Sequence, residues 1–157
     1  MKVTGSYCLC IGIKDKTRIT VGALGKIAFP AGCYIYVGSA LNGLEHRITR
    51  HMDMSHGVYK AVHWHIDYLL KAPEVEIRAV YYKESKDREE CSISEGIAER
   101  GKPVPCFGSS DCRCTSHLYK VDGCDFLNSL GLSKVNLDDD TVFHGNHRWL
   151  SEVNSNY

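Results

Sequence analysis

No apolar run in this 157-residue chain approaches the roughly 18 residues that a membrane-spanning helix requires. The N-terminus also lacks the charged, hydrophobic and cleavage regions of a signal peptide. An intracellular, cytoplasmic protein with no membrane partner is therefore expected. Net charge is missing too, since 19 Lys/Arg balance 19 Asp/Glu. That argues against a strongly basic nucleic-acid binder, because DNA affinity comes largely from lysine and arginine displacing counterions. The balance is uneven along the chain. After residue 121 only Lys134 and Arg148 stand against Asp122, Asp125, Asp138, Asp139, Asp140 and Glu152. The front segment is thus cationic by four charges and the tail anionic. There is no internal repeat, no basic arm and no recognisable second DNA-binding domain, which argues against long-site sequence specificity.

The length suits one domain with a single hydrophobic core. Residues 1–121 are read as that domain and residues 122–157 as an acidic C-terminal extension, not a separate domain. The eight cysteines would frame disulfides in a short secreted chain. In a reducing compartment they read as free thiols or metal ligands, and reduced thiols are expected.

Tyr7, Leu9, Ile11 and Ile13 alternate with Ser6, Cys8, Cys10 and Gly12, which predicts a strand from Gly5 to Ile13. Arg18 to Val21 and Cys33 to Val37 are further β-rich runs between turn-forming glycines and Pro30, so the opening third reads as a β-meander. A helix is predicted from Asn42 as N-cap, carrying Leu44 and Ile48 on one stripe and Arg47 and His51 on the next. A second helix is predicted over 61–72, a strand over 76–82, and a third helix over 87–100 with Glu90 in its first turn. Residues 102–115 read as a loop, Ser116 to Val121 as a closing strand, and Cys124 to Leu130 as a short helix. The fold class that follows is α+β, a small twisted, mainly antiparallel sheet flanked by helices.

The run Tyr34-Ile35-Tyr36-Val37-Gly38-Ser39-Ala40, with Arg47 nine residues after Gly38 and His51 four further on, resembles the second half of the GIY-YIG nuclease motif. Gly5-Ser6-Tyr7 is similar to a degenerate first half. His63-Trp64-His65-Ile66-Asp67-Tyr68 narrows the resemblance, as does Phe107-Gly108-Ser109-Ser110-Asp111-Cys112-Arg113-Cys114-Thr115-Ser116-His117-Leu118. With Glu90-Cys91, these runs are similar to the Uri-type subfamily of small stand-alone prokaryotic proteins, over about residues 3–121. Two departures from the wider pattern are that the two tyrosines lie 29 positions apart, and that Ser109, Ser110 and Asp111 occupy the stretch where an asparagine usually follows the metal-binding helix.

The resemblance implies a divalent-metal-dependent endonuclease, a hydrolase of nucleic-acid phosphodiesters, with DNA favoured over RNA. Its setting would be repair or processing, structure-selective or directed by a protein partner. It implies one Mg²⁺ or Mn²⁺ ion on Glu90, as suits a carboxylate completed by waters and substrate oxygens. Tyr7 would be the leading general base, Tyr36 a second active-site hydroxyl, Arg47 the phosphate clamp, and His51 a phosphate-binding or water-orienting group. Gly38, Ser39, His65, Asp111 and His117 are candidate substrate-binding residues, Gly38 because a missing Cβ lets a substrate approach the strand end. Taken singly, the tyrosines read as sheet aromatics, and Arg47, His51 and Glu90 as solvated helix faces.

His63 and His65, two apart on a helix, would point about 200° from one another and make poor partners for one metal. His65 is the better paired with Asp67 or Asp111. Cys91, Cys106, Cys112, Cys114 and His117 include enough soft ligands for a structural Zn²⁺, but their spacing favours buried thiols. Two rival readings follow, a non-catalytic nucleic-acid-binding module on the same scaffold and a zinc-stabilised interaction domain built on residues 91–117.

Overall fold

The structure is a computed structural model that describes residues 3–59, 61–109 and 114–135. Asp111, Cys112 and the acidic run Asp138-Asp139-Asp140 lie outside the described residues. In chain order the elements are β1 (Gly5–Ile13), β2 (Thr17–Thr20), β3 (Lys26–Phe29), β4 (Gly32–Ala40), α1 (Leu44–Ser55), α2 (His65–Leu70) and β5 (Val75–Glu84). They continue with α3 (Glu90–Ala98), β6 (Lys102–Pro103), β7 (Leu118–Val121) and β8 (Ser133–Lys134). Single 3₁₀ segments occupy Gly22–Leu24 and Asp125–Leu130.

The main sheet is antiparallel in the order β6-β7-β4-β1-β5-β8, and β2 pairs with β3 in a separate two-stranded ribbon. The opening third is therefore not the meander its turn residues suggest. β1 pairs directly with β4 along nine residues, from Gly5↔Ala40 to Ile13↔Gly32. The inserted β2–β3 hairpin is set aside, and its Ile19 and Ile27 pack on the core. The physical reason is burial: β1 has strands on both edges and is buried at every position, a return that β2, with alternate residues exposed, cannot offer.

Both faces of β1 are covered. Tyr7, Leu9, Ile11 and Ile13 meet Leu44, Ile48 and Met52 of α1 and Ile66, Leu69 and Leu70 of α2. Burying an aliphatic side chain of this size stabilises by about 2 kcal/mol relative to exposure. Cys8 and Cys10 lie on the other face with Ile93 and Ile97 of α3, Tyr81 of β5 and Leu127. The smaller residues of the alternation thus mark a second core beneath α3, not a solvated surface. Beyond Val121 the described chain keeps packing, since Leu127 and Leu132 join this second core and β8 pairs with β5 at Tyr81 and Tyr82.

Helix ends differ from the pattern-based expectation for identifiable reasons. At α1 the cap position is Gly43, at φ +129°, without a side-chain cap. Leu44 N–H instead donates to Val3 O at 2.7 Å, which leaves Asn42 exposed and out of the cap. The helix expected over 61–72 forms only from His65 to Leu70. The carboxylate of Asp67 accepts the backbone N–H groups of His63 at 2.8 Å and Trp64 at 3.0 Å, which holds that segment outside the helix. α3 is likewise shorter than 87–100, and Glu90 is its first residue. Among the described residues no helix is long and apolar enough to cross a membrane.

Candidate functional site

Tyr7 faces Gly38 across β1 and β4, and Ser6 faces Ser39. β7 accompanies β4 only from Cys33 to Tyr36, and one further bond runs from Val37 N–H to His117 O at 2.9 Å. Past that point β7 has diverged, and a cleft of about 480 Å³ opens along the Gly38–Ser39 stretch of β4. Tyr7 and Tyr36 line it with Arg47 and Trp64, and Ser39, Arg88, Glu90, Cys91 and His117 line it as well.

Arg47 is held at this edge by two contacts. Its Nη1 donates to Ser39 O at 3.2 Å, and its guanidinium lies 4.6 Å from the Trp64 ring centroid. Trp64 is in turn pressed by Arg50 at 4.2 Å. Arg50 grips Asp67 through both carboxylate oxygens, at 3.0 and 3.1 Å. A fork of this kind fixes orientation as well as charge. The Ser39 hydroxyl donates to Glu90, and Arg88 stands 4.0 Å from the same carboxylate.

His51 is not a surface neighbour of Arg47. It is buried behind Tyr7, with its Nε2 2.6 Å from the Tyr7 hydroxyl, and it does not line the cleft. Burial, opposed by Asp67 and reinforced by the cations Arg47 and Arg50, pushes the His51 imidazole down to about 3. The ring is neutral at ordinary pH. Its Nδ1 finds no hydrogen-bond partner, which favours the tautomer with the proton on Nε2, donated to the Tyr7 oxygen, because an unmet acceptor is less costly than an unmet N–H. Burial also raises both phenols, with Arg47 pulling in the other direction. Tyr7 and Tyr36 therefore enter the cleft as neutral hydroxyls.

This burial carries a pH dependence of stability. An unfolded histidine takes up a proton near 6.5 while folded His51 does so only near 3. Stability is therefore lost as pH falls through that window. Urea denaturation of wild type and His51→Asn should show this directly, with the wild-type midpoint dropping between pH 7.5 and 5 and the variant losing less over the same range.

Gly38 lines the cleft, and its missing side chain also makes room for Tyr7. A Cβ there would stand 2.5 Å from the ring tip and hydroxyl of Tyr7, which is fully buried and tethered to His51. Gly38→Ala is expected to cost about 1–3 kcal/mol, read as a lower thermal midpoint, with a shifted Tyr7 ring resonance.

The remaining sequence candidates divide. Ser39 and His117 line the cleft. His65 does not; its Nδ1 accepts Gly108 N–H at 2.9 Å and buttresses the turn beside Tyr36. It makes no pair with Asp67, which is committed to Arg50, His63 and Trp64. Asp111 lies outside the described residues. The sequence singled out no role for Trp64, Arg50 or Arg88, and offered Asp67 only as a partner for His65. The available signal was spacing, since Arg50 stands one turn beyond Arg47.

The cysteines are not the isolated thiols expected of them. Cys10 pairs with Cys124 across a Cα separation of 6.3 Å, and Cys91 with Cys114 across 6.0 Å. Cys33 Sγ lies 3.7 Å from Cys10 and 3.4 Å from Cys124. Two groups have ligand atoms within 4.8 Å of one another, Cys10–Cys33–Cys124 and Cys91–Cys114–His117. Both are sets of soft donors suited to Zn²⁺. This overturns the expectation of a Mg²⁺ or Mn²⁺ centre on Glu90. Glu90 belongs to neither group, and the donors that cluster among the described residues are sulfur and imidazole, not the oxygens a hard ion prefers. Cys91, Cys114 and His117 belong to the set the sequence offered for Zn²⁺, whereas chain spacing hid Cys10–Cys33–Cys124, which is assembled from separate elements.

The fold and site define a mixed α+β domain with a cleft at a sheet edge and two Cys/His groups able to coordinate metal. The chain matches the model of the family described as "Domain of unknown function DUF123" over residues 6–134 and belongs to that family. No curated protein and no solved structure matches it.

Proposed function

We propose that this chain is a metal-binding module of the GIY-YIG, Uri-type scaffold that grips the phosphodiester backbone of nucleic acid, DNA in preference to RNA, in the cleft beside Gly38 and Ser39. The observation that carries the reading is the convergence of Arg47 with Tyr7, Tyr36, Trp64 and Arg88 on one cleft. Guanidinium groups meet phosphate oxygens in paired geometry, neutral hydroxyls supply further donors, and an indole offers a face for an unstacked base. Cys91 and His117 of one Cys/His group stand in the cleft wall, which soft-metal ligation would hold.

A second reading, phosphodiester hydrolysis in the same cleft, is favoured by Glu90. Its carboxylate is only 14% exposed, is held by Ser39 and lines the same cleft as Arg47. It is placed to accept a proton from an attacking water, while Arg47 and the phenol hydroxyls stabilise charge on phosphate. Incubating reduced, zinc-loaded protein with branched, nicked, single-stranded and duplex DNA separates the readings. Binding without product supports the module alone. Product that disappears with Glu90→Gln while binding persists supports hydrolysis. No binding to any of the four would overturn both.

A further inference from the structure

We propose that Cys91, Cys114 and His117 form a zinc centre whose fourth position opens into the cleft, where it takes a water or a phosphate oxygen beside Glu90. The inference rests on the reading of the cleft as a phosphodiester site and adds the electrophile that reading lacks. Cys91 follows Glu90 in the first turn of α3. Cys114 and His117 come from the segment that rejoins the sheet, and His117 is pinned there by Val37 N–H at 2.9 Å and Phe107 O at 2.8 Å. The three ligand atoms lie within 4.8 Å of one another. Cys91 and His117 are also part of the cleft wall, together with Arg47 and Glu90.

Structural zinc sites close with four protein ligands, whereas catalytic sites use three and leave the fourth for water. Two thiolates and one imidazole beside a non-ligating glutamate is the donor set with which zinc hydrolases of nucleobases activate water. Here Glu90, fixed by Ser39, takes the place of that glutamate and the attacked atom would be phosphorus. Zinc requires thiolates, so the Cys91–Cys114 disulfide must first be reduced. A dithiol supplies two electrons and two protons and becomes a cyclic disulfide, and the two thiol protons leave to buffer as the ion binds. In the reaction Glu90 accepts one proton from the zinc-bound water. The hydroxide forms a new P–O bond, one ester P–O bond breaks, and the proton returns to the departing alkoxide.

The test uses the full chain with Cys33→Ser to silence the other cysteine group, reduced by a dithiol and loaded with Co²⁺ as a spectroscopic substitute for zinc. Uptake of roughly one ion per chain is expected. It should be lost with either Cys91→Ser or Cys114→Ser and retained with Cys112→Ser. Inorganic phosphate should shift the visible cobalt bands, and Arg47→Ala should weaken that shift. Loss of the ion with Cys112→Ser would mean a closed four-ligand site and overturn the proposal, as would cobalt bands that ignore phosphate. In either case Arg47-dependent DNA binding would survive, whereas absence of that binding would remove the cleft reading and this inference with it.

Discussion

Alanine at Arg47 should weaken DNA binding roughly 10- to 100-fold, the equivalent of the 1.5–3 kcal/mol carried by hydrogen bonds to a charged group. It should also lower the slope of affinity against salt by about one counterion. The fold should be spared. Arg47 is half-buried, its contacts are one carbonyl and one ring face, and Trp64 keeps its second cation in Arg50. Fluorescence anisotropy of labelled DNA at several salt concentrations, with a thermal melt as control, reads both quantities. A variant that melts normally and binds as wild type would deny Arg47 its role.

Asp67→Ala is the substitution expected to cost most in stability, about 3 kcal/mol, or a fall of about 10 °C in melting temperature. The carboxylate is inaccessible to solvent while its partner Arg50 is 21% exposed. The variant would leave a cation half in the protein and two backbone N–H groups, of His63 and Trp64, without acceptors. Binding should weaken too, because Trp64, on which Arg47 rests, is positioned by this pair. Burial pushes the Asp67 carboxyl up, but the hydrogen bonds from Arg50, Trp64 and His63 outweigh it and hold the group below its ordinary 3.8. The unfolded chain therefore protonates first on acidification. The pair's contribution is complete above that value and is lost as pH falls through the folded one. The gap in urea midpoint between wild type and variant should be widest at pH 7 and should narrow as the pH is taken below 3.8.

Much of this arrangement is written locally. The alternation from Gly5 to Ile13 specifies β1 to the residue, because a strict period of two has no helical equivalent. Leu44 and Ile48 fall on the inner side of α1 as their spacing requires, whereas His51, placed by spacing on the stripe of Arg47, is a core residue through its partner Tyr7. The pairing of β1 with β4 across the β2–β3 hairpin was not legible from turn residues. It depends on which strand pair buries both faces, a property of the whole sheet. The truncation of α2 depends on one carboxylate turning back on its own N-terminus.

The site shows the same division. Tyr7, Tyr36, Arg47 and Glu90 come from four elements, and no periodicity links them; only their order along the chain pointed to a shared cleft. Of the cysteine groups, Cys91, Cys114 and His117 fall within the set the sequence offered for zinc, whereas Cys10–Cys33–Cys124 was invisible for a related reason. Cys10 and Cys124 are 114 residues apart, and the C-x-C spacing of Cys112 and Cys114 resembles no familiar zinc knuckle. Hydrogen bonds between strands and helix starts, not sequence spacing, bring these sulfurs together.

The measurement that bears most directly on the cleft is amide NMR of the labelled protein during titration with a short DNA oligonucleotide. Phosphodiester binding at the sheet edge predicts shifts concentrated at Gly38, Ser39, Arg47, Trp64, Glu90 and Gly108, and their disappearance in Arg47→Ala. Shifts confined to the far side of the sheet, around Asp122 to Phe126, or no shifts at all, would contradict it.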